Sequence, residues 1–334
     1  MGINKKMIIT QTPLRISLVG GGTDIAEFYT KEGGAVVSSA IDKYVYVIVK
    51  ERFDEMIYLN WMKKEITDQV DKIEHELIRE AMKKTGVLNG VEITILSDIP
   101  AEGSGLGSSS SITVGLLHAL YLYQGIPVSA ETLAQEACEI EIDTLGKPIG
   151  KQDQYIAAYG GLKHFRFNKD HTVTVNIPKI SSENLNELSQ RLLLFFTGKT
   201  RKADEILKKQ VKNINNKIVI YKKMRDQSDK LLKFLGRGNT DYLGKALKVG
   251  WEFKKKVSDD ITNPEINTMY EKAKKAGAIG GKIAGAGAGG FLLLFVPLQK
   301  QKAVRSALKD YREMSFALER DGSKSIFNIR RSSV

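Results

Sequence analysis

A chain of 334 residues, 42% of them hydrophobic, is long enough for two ordinary domains, and no apolar run approaches the ~20 residues of a membrane span. The single cysteine, Cys138, excludes an intramolecular disulfide, and the N-terminus Met1-Gly2-Ile3-Asn4-Lys5-Lys6 lacks an apolar signal segment, so a cytoplasmic protein is expected. The net charge of +12 would suit nucleic acid, a membrane surface or anionic small molecules, but much of it falls at residues 199–256 on the polar faces of predicted helices, with no aromatic-interleaved basic module, so neither nucleic acid nor a membrane is expected as a partner.

The first elements are predicted as short strands over residues 7–10 and 14–19, separated by Pro13. Gly20-Gly21-Gly22-Thr23-Asp24 follows as a turn before a helix over 25–30. Asp24 has two readings: it caps that helix, or it accepts hydrogen bonds from two hydroxyls of a sugar. Strands rich in Val, Ile and Tyr follow at 34–40 and 41–49, with another at 56–61. Ile73, Leu77, Ile78 and Met82 have the spacing of a helix over 71–85, and residues 91–96 read as a strand.

That strand leads into Pro100-Ala101-Glu102-Gly103-Ser104-Gly105-Leu106-Gly107-Ser108-Ser109-Ser110-Ser111 and then an apolar-periodic stretch. Strand, glycine turn and helix together present backbone N–H groups and the positive end of a helix to an anion. A serine-capped helix after a flexible loop is the plain alternative, but three glycines and five serines over the nine residues 103–111 exceed what a cap requires. The expected phosphate contacts are Gly103, Ser104, Gly105, Leu106, Gly107, Ser108, Ser109 and Ser110.

Helices are predicted over 109–124 and 130–145. Glu139, Glu141 and Asp143 alternate near the end of the second, so a regular helix would bring no more than two of them to one metal. The constrained turn Leu145 to Tyr155 places Asp153 at the start of a short helix, where it is either a helix-terminal charge or a working carboxylate. A hairpin over 162–167 and 172–177 precedes a polar connection at 181–189 and a strong strand at 191–197. The division expected is therefore residues 1–188 and 189–334. The second part should hold one long or broken helix over 199–235, helices over 239–257 and 264–276, strands at 278–284 and 291–296, a helix over 299–313 and closing strands at 315–317 and 325–329.

Two familiar phosphate motifs fail in context. Gly285 to Gly290 matches G-x-G-x-x-G but precedes the strand-like Phe291-Leu292-Leu293-Leu294-Phe295, where a dinucleotide fold needs a helix. The serine-rich loop has no Gly-Lys-Ser/Thr, so it is not a Walker A loop, and the charge it lacks must come from a metal and from distant residues.

Taken in order, Pro13 to Tyr29, Pro100 to Ser111 and Lys282 to Phe295 resemble the three motifs of the GHMP kinases. Within that family, Leu14 to Asp24 and Pro148 to Tyr155 are most similar to kinases of D-glycero-D-manno-heptose 7-phosphate. Galactokinases carry a Glu-His pair where this chain has Gly21 and Gly22, so room is left for a longer sugar. The resemblance implies an α+β, two-domain fold: an N-terminal ribosomal-protein-S5-domain-2-like domain and a C-terminal ferredoxin-like domain, with the active site in the cleft between them.

It also implies roles. Asp153 would be the catalytic aspartate and Arg15 the basic residue beside it. Glu141 and Ser109 would bind Mg²⁺, and Gly21, Gly22, Thr23 and Asp24 would bind the sugar. Lys199 and Arg201, before a predicted helix, are candidates for the substrate's own phosphate, against the plain reading of a solvated basic loop. Asn60 and Trp61 are candidates to lie near the nucleotide base. The implied reaction is ATP- and Mg²⁺-dependent phosphorylation of the anomeric hydroxyl of D-glycero-D-manno-heptose 7-phosphate to the 1,7-bisphosphate. The rivals are another sugar 1-kinase, fucokinase- or galactokinase-like, and a catalytically silent sensor of sugar and nucleotide. The oligomeric state stays open.

Overall fold

A computed structural model describes residues 6–99, 103–199 and 203–330. β1 (Lys6–Val19) runs unbroken through Pro13, because its pairing register slips between Pro13 and Leu14 and the bulge accommodates the missing N–H. α1 (Ala26–Glu32) leads to β2 (Gly34–Glu51), again one strand where two are expected. Its first part pairs with β6 and its later part with β5, so a single strand serves two neighbours. β3 (Ile57–Asn60) and β4 (Lys64–Thr67) form a hairpin whose second strand is absent from the sequence reading. α2 (Glu76–Thr85) and β5 (Val91–Ser97) lead to the glycine loop.

α3 (Ser108–Gln124) buries Ile112, Val114, Leu116, Leu117, Ala119 and Leu120, so it is apolar nearly all round, and it packs on β1 and β2. α4 (Ala130–Cys138) stops short of the expected end, and Glu139–Thr144 continues as a wider π-helical turn. α5 (Gln152–Tyr159), β6 (Leu162–Phe167) and β7 (Val173–Asn176) complete this half. The expected polar connection is α6 (Ser182–Gln190), whose N-cap Ser181 accepts from the Asn184 N–H.

β8 (Leu192–Phe196) opens the second sheet. The long helical stretch is broken into α7 (Ala203–Asn213) and α8 (Ile218–Leu235) by a tight turn at Asn215–Lys217. α9 (Tyr242–Lys255), α10 (Pro264–Lys275), β9 (Gly280–Ile283), β10 (Phe291–Phe295), α11 (Gln301–Ala307), β11 (Glu313–Met314) and β12 (Lys324–Arg330) follow.

The first sheet runs β12-β1-β2-β5-β3-β4, with β6 on β2 and β7 on β6, and the second runs β11-β8-β10-β9. β12 pairs with β1, so residues 324–330 belong to the sheet of the first half, and a linear cut at 188/189 does not describe the sheets. Among the described residues no helix is long and apolar enough to cross a membrane.

Candidate active site

The glycine loop and the C-terminal glycine turn meet backbone to backbone. A Cβ on Gly105 would lie 2.6 Å from the Ala284 carbonyl oxygen, and one on Gly285 would lie 2.6 Å from the Gly105 Cα. Both glycines also have positive φ, at 75° and 68°, so space and conformation each exclude a side chain. The same turn is pinned further along, where Gly290 N–H donates to the Lys199 carbonyl and Thr197 N–H to that of Gly290. The turn of Gly285–Gly290 is therefore a buttress for the loop, consistent with the strand, and not a helix, that follows it.

Around this junction lies a cavity of about 920 Å³. One wall is the N-terminus of α3. Gly107 precedes the helix with φ 80°, no side chain caps the first turn, and Ser108, Ser109 and Ser110 border the space, so N–H groups and hydroxyls are available to an anion. Ser104 braces the loop, accepting from the Leu106 N–H at 3.3 Å and sharing a hydrogen bond with Ser108 Oγ at 3.1 Å. Leu106, expected among the phosphate contacts, is instead fully buried core, and its carbonyl accepts from the Arg15 N–H. Pro100 to Glu102 lie outside the described residues.

The opposite wall is assembled from β1, α5 and the turn of Gly20–Gly22. Arg15 on β1 grips Asp153 with its guanidinium fork: Nε donates to Oδ1 at 2.7 Å and Nη2 to Oδ2, while Nη1 donates to the Gly105 carbonyl at 2.5 Å. Arg15 is only 5% exposed, yet its charge has a bidentate carboxylate partner. One arginine thus ties the loop to Asp153, residues far apart in sequence.

Asp24 does not cap α1. The N-cap of α1 is Ile25 and receives no side-chain bond. The Asp24 carboxylate accepts from the N–H of Gly22 at 2.8 Å, from the N–H of Gln152 at 3.2 Å and from Gln152 Nε2 at 3.2 Å, so it fastens the glycine turn to the start of α5. Burial pushes its pKa up, the nearby charge of Asp153 adds to that, and the backbone N–H donors oppose it. A Cβ on Gly150 would fall 2.0 Å from Asp24 Oδ2, so only glycine fits there. Asp24, Gly21 and Gly22 all border the cavity. Thr23 does not: its hydroxyl bridges the Ala35 carbonyl and N–H, making it a structural clip.

Glu141 projects from the π-helical turn and is fully buried. Its Oε2 accepts from Ser109 Oγ at 2.9 Å and its Oε1 from Gln154 Nε2 at 3.1 Å. Ser109 lies between this carboxylate and the cavity. Burial pushes the Glu141 pKa up, with Lys147 the largest opposing influence.

The remaining expectations separate. Lys199 is not part of the cavity wall: its Nζ pairs with Glu265 at 2.6 Å. Arg201 lies outside the described residues. Trp61 borders the cavity beside the apolar Met62, Leu77, Ile95 and Ile99, a surface suited to a flat base, whereas Asn60 turns away to Glu92 and Thr94.

Sequence reading missed Gln152 and Gln154 as hydrogen-bonding arms, although both stand in the quoted turn, and missed Lys254 altogether. Lys254 continues the buried face of α9 after Leu243, Leu247 and Trp251, and a lysine at helical spacing from those residues was the available signal.

Comparison with known proteins identifies the family. Residues 71–161 match the family model for the GHMP kinases N terminal domain, and residues 231–313 match that for GHMP kinases C terminal. The D-glycero-alpha-D-manno-heptose 7-phosphate kinase of Campylobacter jejuni subsp. jejuni is 31% identical over 96% of this chain and 99% of its own. The structure of a D-glycero-D-manno-heptose 1-phosphate kinase from Bacteroides thetaiotaomicron has a TM-score of 0.80 at 27% identity, covering 95% of this chain and 98% of that one. Galactokinase of Lactococcus lactis, complexed with galactose, has a TM-score of 0.75 at 20% identity and 95% coverage of each chain, a likeness of fold. An uncapped helix N-terminus buttressed by a second glycine turn, with both family models matched in order and a relative 31% identical over nearly the whole chain, makes this chain a member of the GHMP kinases, enzymes that transfer a phosphoryl group from ATP.

Proposed function

We propose that this sugar kinase phosphorylates the anomeric hydroxyl of D-glycero-D-manno-heptose 7-phosphate, giving the 1,7-bisphosphate, with ATP as donor and Mg²⁺ as activator. The observation that carries the reading is the wall formed by Gly21, Gly22, Asp24 and the Arg15–Asp153 pair opposite the α3 N-terminus. A sugar resting on the two glycines would present a hydroxyl to Asp153, and ATP phosphates would rest on the loop. The substrate is supported by the name of the relative at 31% identity and by the absence of side chains at Gly21 and Gly22.

In the reaction, the sugar oxygen forms a bond to the γ-phosphorus as the bond from that phosphorus to the β,γ-bridging oxygen breaks, and ADP leaves with the electron pair. The hydroxyl proton passes to Asp153, whose orientation Arg15 fixes through two hydrogen bonds. Loop N–H groups and the α3 terminus hold the phosphates in place, and positioning of this kind supplies most of the rate in phosphoryl transfer.

Glu141 and Ser109 fit a magnesium ion. Glu141 is a buried carboxylate whose hydrogen-bond donors are neutral, and its neighbour is a hydroxyl 2.9 Å away that borders the cavity. Among the described residues no cluster of three or more His, Cys, Asp or Glu side chains could hold a metal, so phosphate oxygens and water would complete the shell. When bound, the ion offsets negative charge on the phosphates. An ATP-consuming enzyme whose one cysteine is buried fits the reducing cytoplasm.

The test is ATP turnover across a panel of D-glycero-D-manno-heptose 7-phosphate, the unphosphorylated heptose, L-fucose and D-galactose, with the product located by phosphorus NMR. The heptose 7-phosphate should give the highest kcat/KM and a second, anomeric phosphate signal. Faster turnover of fucose or galactose would sink the reading.

A further inference from the structure

The phosphate loop has no lysine of its own, and the side chains bordering the cavity show where one comes from. Among the described residues the cationic side chains on that border are Arg15, Lys147 and Lys254, with His75 as a further nitrogen base. Arg15 is matched by Asp153 and Lys147 by Glu76 at 2.8 Å. Among the described residues no carboxylate lies at contact distance from Lys254. Its ammonium donates to the Gly285 carbonyl, which uses one of three protons, and the residue is 8% exposed.

The position of that ammonium is fixed by short links. Gly285 touches Gly105 backbone to backbone, and the Gly105 carbonyl accepts from Arg15 Nη1 at 2.5 Å. Lys254 and Arg15 therefore approach the tip of the phosphate loop from two sides, one through the C-terminal glycine turn and one through β1. A lysine held in an apolar helix face is costly unless the charge has a use, and its stem stays beside the Gly20–Gly21 turn in a small side pocket shared with Lys282. Lys282 is committed elsewhere, donating to the Ser17 carbonyl at 2.9 Å.

We propose that Lys254 is a catalytic residue whose ammonium contacts the phosphoryl group in transfer, supplying from α9 the positive charge that the loop lacks. This rests on the chain's being a kinase of its family and not on which sugar it uses. The charged form is sensitive to its surroundings: burial pulls the Lys254 pKa down to about 8, Arg15 adds to the drop, and Asp24 and Asp153 oppose it. Lys282 is the other ammonium that couples to it. In the free enzyme the ammonium is present below that pH and lost above it.

The tests use the full chain and whichever sugar the panel shows to be turned over. Lys254→Met should lower kcat by about 10²- to 10³-fold, the usual cost of removing one transition-state donor, while KM for ATP and sugar change little. Lys254→Arg should recover part of that loss. In the wild type, log kcat/KM should fall as pH rises past about 8, and this alkaline limb should be absent in Lys254→Arg, because arginine stays charged. A raised KM for a sugar phosphate with unchanged kcat would place the ammonium on the substrate's own phosphate and overturn the proposal. So would full kcat in a folded Lys254→Met. The wild-type profile stands even where a variant fails to fold, and a flat profile between about pH 7 and 9 overturns the proposal by itself.

Discussion

Asp153 and Glu141 are two carboxylates beside one phosphate loop, and their surroundings divide them. Asp153 is 23% exposed at its side chain, borders the cavity and has both oxygens held by one guanidinium. Glu141 is fully buried behind Ser109, receives bonds from neutral donors only, and has its pKa pushed up by burial. The same functional group is thus held at the cavity by a guanidinium in one place and bonded by neutral donors in the other. Environment, not residue type, assigns the work.

The largest effect that tests this contrast is at Asp153. Asp153→Asn keeps the shape but cannot take up the proton, and kcat should fall by about 10²- to 10⁴-fold while the Mg²⁺ concentration for half-activation stays put. Steady-state ATP turnover across a Mg²⁺ titration, with a thermal melt to check folding, reads both. Glu141→Gln should behave the other way, with the Mg²⁺ requirement rising by about 10- to 100-fold and kcat at saturating Mg²⁺ largely recovered. If the two variants lose activity in the same manner, the division of roles is wrong.

How much of this was legible in the sequence follows from how far each contact reaches. The anion loop was readable because its strand, glycines and helix are contiguous, and the caps and periodicities of α2, α3 and α10 are likewise local. The Arg15–Asp153 grip joins residues 138 apart and entered only through family resemblance, since no periodicity relates β1 to α5. Thr23 and Leu106 show that position within a motif says nothing of which way a side chain turns: both turn inward, and neither borders the cavity. The return of β12 to β1 was hidden for the same reason: strand pairing is non-local, and an exposed edge strand has no pattern that names its partner. Lys254 was masked by Lys255 and Lys256, which make a buried lysine look like part of a solvated run.

The smallest effect separates two serines of one helical turn. Ser109 Oγ donates to Glu141, while Ser111 Oγ donates to the Pro13 carbonyl at 2.8 Å and so anchors α3 to β1 where its pairing with β2 shifts register. Pro13 has no N–H, and its pairing with β2 changes register there. Ser111→Ala leaves that buried carbonyl without its partner and should cost about 1 kcal/mol, visible as a melting point lower by about 2 °C. Its kcat and Mg²⁺ requirement should match the wild type, because the hydroxyl removed bonds to the Pro13 carbonyl and the backbone bond from Ser111 N–H to the Gly107 carbonyl is kept. Ser109→Ala should do the reverse, raising the Mg²⁺ requirement with little change in melting. A Mg²⁺ shift in Ser111→Ala would mean that α3 moves as a unit with its anchor and that the loop's geometry, rather than Ser109 itself, sets the metal affinity.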